Sequence, residues 1–216
     1  MALSDNLTSK FVRKDVEDYL YKLLPKRDAV LREMEAYAQR HNVPIIGPAV
    51  ARLLALFVQT SGARRIFEMG SAIGYSTIWL ARAAGPSGRV FYTDGSPENA
   101  CRAAGYFLRA GVRKRIEILI GDALDSLRQA PGKFDLIFLD VDKQQYPAAF
   151  RLAVPRLRRR GLLVADNTLR DGLVTHGTHD LRTRGVQRFN RLAYSSKQLF
   201  PVLVPLRDGV TICRKL

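Results

Sequence analysis

The sequence is poor in the residues that build extracellular scaffolds and soft-metal sites. Its 216 residues include only two cysteines, three histidines and one tryptophan. Cys101 and Cys213 have no CxxC spacing, which excludes a disulfide framework and a cysteine-based zinc site. Both read as isolated buried thiols. His176 and His179, in "THGTH", lack the further ligands that zinc requires, so this loop reads as a pocket rim. His41 reads as a cap or surface residue. No apolar run approaches the roughly 18 residues of a membrane span. The opening "MALSDNLTSKFVRKDVEDYL" carries no apolar signal-peptide core. The expectation is an uncleaved, soluble, cytoplasmic protein without a membrane partner.

Acidic residues are also scarce, 20 against 35 Lys and Arg, which gives a formal charge of +15. Two readings stay open: a solvated arginine-rich surface, or attraction to nucleic acid or another polyanion. The local clusters are "RKR" at 113–115 and "RLRRR" at 156–160.

What is present is a regular alternation. Residues 15–41 read as one or two amphipathic helices punctuated by Pro25, and 48–60 as another. Short apolar runs follow at 64–70, 89–94, 116–121, 134–140 and 161–166, with helices expected at 74–84, 97–110, 123–129 and 145–158. Runs that are apolar on both faces suit parallel strands covered by helices. A helix near 180–195 precedes runs 200–206 and 209–215, which read as a hairpin across "RD", so at least one terminal strand is antiparallel. The fold class is α/β: a doubly wound, mostly parallel, seven-stranded sheet with a helical N-terminal extension. One domain is expected over 1–216, with helices in 1–60 and the core in 64–216.

In such sheets ligands bind beyond the carboxyl ends of the strands. Glu68, Gly70, Asp94, Asp122, Asp140, Asp142 and Asp166 all fall there. "FEMGSAIGYS" links the first strand to a helix. Gly70 allows a tight turn, Gly74 a close approach of ligand or helix, and the amides near Tyr75 and Ser76 suit an anion. The spacing is GxxxG, which favours a nucleoside ligand without pyrophosphate, such as S-adenosylmethionine. Glu68 would then meet the methionine ammonium and Asp94 the ribose hydroxyls. In "GDAL", Asp122 suits an adenine amino group and equally an N-cap, with the Ala123 amide facing the ring. Asp140, Asp166 and Asn167 end neighbouring expected strands. Two carboxylates and an amide oxygen suit a hard divalent cation, Mg²⁺ first, with Ca²⁺ or Mn²⁺ as alternatives. Trp79 and Tyr75 read as core and pocket packing, Phe189 as core and Asn190 as structural.

Taken in order, EMGSAIGYS, TDGSPE, GDAL, LDVDK and ADN resemble the cation-dependent class I O-methyltransferases of the catechol and caffeoyl-CoA type. "TRGVQRFNRL" and "PLRDGVTICRK" match that family's ending, so the resemblance spans 40–216. It implies a Rossmann-like sheet, bound S-adenosylmethionine and a homodimer. By position, Asp140, Asp166 and Asn167 would hold the metal and Lys143 would be the catalytic lysine, with Asp142 beside it. Glu68, Gly70, Ser71, Gly74, Tyr75, Ser76, Asp94, Gly121, Asp122, Ala123 and Asp140 would line the cofactor. Three positions depart from the pattern. Ala72 replaces a frequent polar residue, Ser96 a frequent Asp, and Asp94 is one methylene shorter than the usual Glu. The resemblance implies methyl transfer to a catechol-like phenol. The alternative acceptor is 5-hydroxyuridine in tRNA, to be favoured if the two basic clusters surround the pocket mouth.

Overall fold

The computed structural model describes residues 11–216. The first ten residues, part of the segment read as leaderless, lie outside the described residues. Three helices come first: α1 (Lys14–Leu23), α2 (Ala29–His41) and α3 (Gly47–Ser61). The chain then alternates β1 (Arg65–Met69), α4 (Tyr75–Ala84), β2 (Arg89–Asp94), α5 (Pro97–Arg109), β3 (Ile116–Ile120), α6 (Ala123–Gln129), β4 (Phe134–Leu139), α7 (Tyr146–Arg156) and β5 (Leu157–Ala165). It closes with α8 (Leu181–Ser195), β6 (Leu199–Val204) and β7 (Val210–Lys215). Among the described residues no helix is long and apolar enough to cross a membrane.

The seven strands form one sheet in the order β3-β2-β1-β4-β5-β7-β6. The first five are mutually parallel, and β7 runs antiparallel to both β5 and β6. Strand periodicity explains the two-sided core. In β4, Leu136 and Phe138 face the layer that holds α2 to α5, while Ile137 and Leu139 face α6 to α8. All four are fully buried. Burying one such side chain contributes roughly 1.5–3 kcal/mol.

Three expectations need correction. The helix expected over 145–158 stops at Arg156, and β5 begins at Leu157 rather than 161. Pro155 lies in the last turn, where its ring removes a backbone donor. The register then jumps from Phe134↔Leu157 to Leu136↔Leu162, so Arg158–Gly161 bulge outward. The hairpin connection is Pro205–Gly209, not "RD" alone, because Arg207 (φ 53°) and Gly209 (φ 82°) share the reversal. Cys101 is exposed on α5, contrary to the buried reading, whereas Cys213 is buried. Burial pushes the Cys213 thiol up to about 12.

Candidate active site

The parallel strands deliver their polar residues to one edge because their ends are in register. Leu139 pairs with Ala165, so Asp140 and Asp166 follow side by side. Gly70 makes this edge compact: at φ 84° it passes so near β4 that a Cβ would lie 2.5 Å from the Asp140 carbonyl oxygen. Gly185 of α8 serves the next turn similarly, since a Cβ there would collide with the Lys143 carbonyl oxygen.

A cleft of about 1240 Å³ opens above this edge. Its walls include Gly70, Ser71, Tyr75, Ser76, Asp94, Asp140, Asp142, Lys143 and Asn167. α2 supplies Arg32 and Glu35, and the chain after it supplies Asn42–Ile46. The Tyr75 hydroxyl donates to Glu35 at 2.6 Å and so ties α2 to α4 over the cleft, while Arg27, just before α2, pairs with the same carboxylate at 2.8 Å. Glu68, Gly74, Gly121, Asp122, Ala123 and Asp166 lie behind or beside this lining rather than in it.

Each carboxylate has a distinct environment. Asp94 accepts from the Ala72 amide (2.9 Å), the Ser96 amide (2.9 Å) and the Asn99 side chain (3.1 Å), so it braces the glycine loop. Asp122 caps α6, accepting from Leu124 N at 2.8 Å and Asp125 N at 3.0 Å; Gln145 also donates to it. Its cap role is therefore established. Gly74 packs against the Phe107 ring of α5, which identifies its close approach as helix packing.

Glu68 is fully buried. Burial raises its pKa to about 7, against hydrogen bonds from Ser76, Thr77 and Ser71 that act to lower it. Thr77 satisfies Oε2, while Oε1 has no partner. Asp166 is also fully buried; Arg207 lies 3.5 Å from its Oδ2, and Oδ1 has no partner. Unsatisfied buried carboxylate oxygens are costly and need a reason. Glu68 Oε1 fits an ammonium, and Asp166 Oδ1 fits a cation shared with Asp140 and Asn167. No group of three or more His, Cys, Asp or Glu suited to a metal occurs among the described residues. His176 and His179 are exposed and belong to no such group.

Lys143 pairs with Asp140 at 2.6 Å, not with Asp142, which is exposed and lies 4.0 Å from Arg182. Lys143 also donates to the Tyr146 hydroxyl at 3.0 Å, and that hydroxyl donates to the Asp166 carbonyl at 2.8 Å. Burial pulls the Lys143 ammonium down, but Asp140, Tyr146 and Asp166 outweigh it and hold it above the ordinary lysine range. Asp140 is raised by burial and by Asp166, opposed by Lys143.

Sequence reading missed Tyr146, although it stands three residues after Lys143, the spacing of neighbours on one turn. It also missed Arg207, whose only sequence signal is its place in a turn. Asn167, Arg170, Asp171 and Arg207 all have positive φ, between 48° and 54°. Their two loops are joined by Thr168 N to Gly209 O (3.0 Å) and Leu169 N to Asp208 O (2.9 Å). Non-glycine residues so placed cost about 1–3 kcal/mol each and concentrate at functional sites. Trp79 is partly buried beside the core, Phe189 is core, and Asn190 donates to the Thr168 carbonyl. His41 ends α2 and stacks on Tyr37 at 4.2 Å. The clusters 113–115 and 156–160 sit at the starts of β3 and β5, on the edge opposite the cleft.

A glycine loop beside paired strand-end carboxylates, on a seven-stranded sheet with an antiparallel β7, defines a Rossmann-like enzyme site. A family profile described as O-methyltransferase matches residues 25–216. The chain belongs to this family, the S-adenosylmethionine-dependent O-methyltransferases. It is 38% identical over 161 residues to a catechol O-methyltransferase of Mycobacterium tuberculosis, covering 73% of each chain. It is 36% identical over 187 residues to a catechol O-methyltransferase of Niastella koreensis, covering 83% of this chain and 84% of that one. An O-methyltransferase from Bacillus cereus in complex with SAH superposes with a TM-score of 0.86 at 33% identity, over 94% of this chain and 97% of that one.

Proposed function

We propose that this enzyme methylates one hydroxyl of a catechol-like, vicinal dihydroxy phenol, using S-adenosylmethionine and a divalent cation, Mg²⁺ first. The observation that carries the reading is the pair Asp140 and Asp166 at adjacent strand ends, with Asp166 Oδ1 unpartnered and Lys143 alongside. The names of the two curated relatives support this acceptor class. Asp140, Asp166 and Asn167 hold the cation. A divalent ion held there would lower the pKa of the acceptor hydroxyl and help orient it.

The chain's own residues do the rest. Gly70, Ser71 and the α4 amides at Tyr75 and Ser76 seat the methionine end of the donor, and Glu68 Oε1 takes its ammonium. Asp94 takes the ribose; Gly121, Asp122 and Ala123 border the base. Lys143 Nζ is the proton carrier, held on target by Asp140 and the Tyr146 hydroxyl. As an ammonium held by Asp140 it cannot take a proton. It would first release one to solvent when a cation engages Asp140, a loss its burial favours, and the neutral amine would then accept the acceptor's hydroxyl proton. Positioning the two reactants in a closed cleft supplies much of the acceleration. A homodimer belongs to the same proposal; the edge strand β6 exposes Phe200 and Val202.

A tRNA acceptor is the second reading. Arg27, Arg32, Arg170, Arg182 and Arg207 around the cleft favour it. The position of clusters 113–115 and 156–160 on the far edge weighs against it. Purified enzyme given S-adenosylmethionine and Mg²⁺ is offered 3,4-dihydroxyphenyl acids or tRNA lacking the methyl mark, with and without chelator. Chelator-sensitive methylation of the phenols alone is expected. Methylation of tRNA alone would replace the first reading with the second.

A further inference from the structure

Each carboxylate of the proposed cation site already has a cation of its own. Lys143 lies 2.6 Å from Asp140, and Arg207 lies 3.5 Å from Asp166. The two are not equivalent. A lysine can give up its proton, whereas a guanidinium keeps its charge at every relevant pH. Arg207 therefore remains positive when a second cation enters.

Its placement is built rather than incidental. The side chain is only 11% exposed. Its Nη1 also donates to the Ile45 carbonyl at 3.3 Å, which ties the β6–β7 turn to the segment before α3. Its backbone is left-handed at φ 53°, a conformation glycine adopts without penalty. Asp140, Asp166, Asp208 and Tyr21 are the groups whose charge it feels. The guanidinium faces Asp166 Oδ2 and leaves Oδ1 open.

We propose that Arg207 is a positioning residue that sets the divalent-cation affinity of this enzyme. Without the cation it neutralises Asp166 through Oδ2 and leaves Oδ1 open. With the cation bound it is a like charge beside a ligand carboxylate, and repulsion keeps the ion exchangeable. The inference rests on the cation reading above.

The test is calorimetric titration of Mn²⁺ into the full-length wild-type protein, Arg207→Gln, Arg207→Gly, Arg207→Lys and Asp166→Asn near neutral pH. Arg207→Gly removes the charge while suiting the positive φ, so it guards against a folding failure in Arg207→Gln; thermal melts check both. The expected result is at least about tenfold tighter Mn²⁺ binding in the Gln and Gly variants, equivalent to about 1.4 kcal/mol. Arg207→Lys is expected within about threefold of wild type, because the charge is kept. Unchanged or weaker binding in both neutral variants, with Asp166→Asn losing it, would overturn the role of Arg207 and leave the cation reading standing. No Mn²⁺ binding by the wild type would overturn both.

Discussion

The two edges of the sheet are chemically opposite. At the carboxyl edge the strands end in Glu68, Asp94, Asp140 and Asp166. At the amino edge they begin beside Arg64, Arg89, Arg115, Arg156 and Arg158. Helix direction explains both. α4 to α7 return antiparallel to the strands, so their N-termini lie at the carboxyl edge and their C-termini at the amino edge, where dipoles favour cations. The amino-edge cations are consumed by this architecture. Arg64 donates to the Ala84 carbonyl and Arg115 to that of Ala81, both in the last turn of α4. Arg156 bonds the carbonyls of Leu127, Ala130 and Gly132 at the end of α6. Lys215 bonds those of Val154 and Leu157 at the end of α7. The carboxyl edge is different: Glu68 Oε1 and Asp166 Oδ1 are buried without partners. At the amino edge the charges are satisfied within the fold, and under the proposed function the two open carboxylate oxygens receive the donor ammonium and the cation. Part of the basic surplus, at Arg64, Arg115, Arg156 and Lys215, therefore has a structural origin.

The comparison can be broken from either edge. Asp166→Asn should lower kcat/KM on the order of 1000-fold, because the cation loses a carboxylate ligand. Steady-state kinetics across a Mg²⁺ series reads this. Lys143→Ala should cost roughly 10²–10⁴ in kcat, as loss of a proton carrier does, with the donor still bound.

Glu68 sharpens the contrast through pH. Its folded pKa, about 7, lies above the ordinary value of 4.5. Its contribution to the ligand-free protein is thus favourable below about 4.5 and is lost as pH rises through about 7. Glu68→Gln should remove that slope and stabilise the ligand-free protein above pH 7 by up to about 3 kcal/mol, while weakening donor binding. Urea titrations below and above this window check it; a variant whose stability falls as steeply as the wild type's would contradict the role assigned to burial.

At the amino edge, Arg156→Ala should cost about 2 kcal/mol of stability through lost bonds to helix-end carbonyls and leave kcat unchanged. Chemical denaturation alongside the methyltransfer assay separates the two edges. Arg159→Ser is the smallest effect. Arg159 is exposed in the β5 bulge, so stability should stay within about 0.5 kcal/mol.

The legible parts of the molecule were those written in local pattern. Apolar runs placed the strands within a few residues, except in β5, where a long-range bulge pairs Leu157 with Phe134 across a skipped segment. The strand-end acids were visible because each follows a run of buried side chains. Whether Asp122 was cap or ligand was not legible, since an N-cap and a base contact ask for the same residue; the structure gives the cap. Tyr146 and Arg207 were hidden for another reason. Tyr146 reads as one more apolar residue at a helix start until its hydroxyl meets Lys143. Arg207 is one arginine among many until the hairpin brings it 41 residues back in sequence to Asp166. The charge state of Lys143 depends on three neighbours that meet only in the folded chain.

The most direct test is anomalous diffraction from crystals grown with Mn²⁺ and S-adenosylhomocysteine. The account predicts one strong Mn²⁺ peak bonded to Asp166 Oδ1, Asp140 and Asn167, with the cofactor ammonium against Glu68 Oε1. A cofactor-bound structure with no metal at Asp166, or with Mn²⁺ held elsewhere, would contradict it.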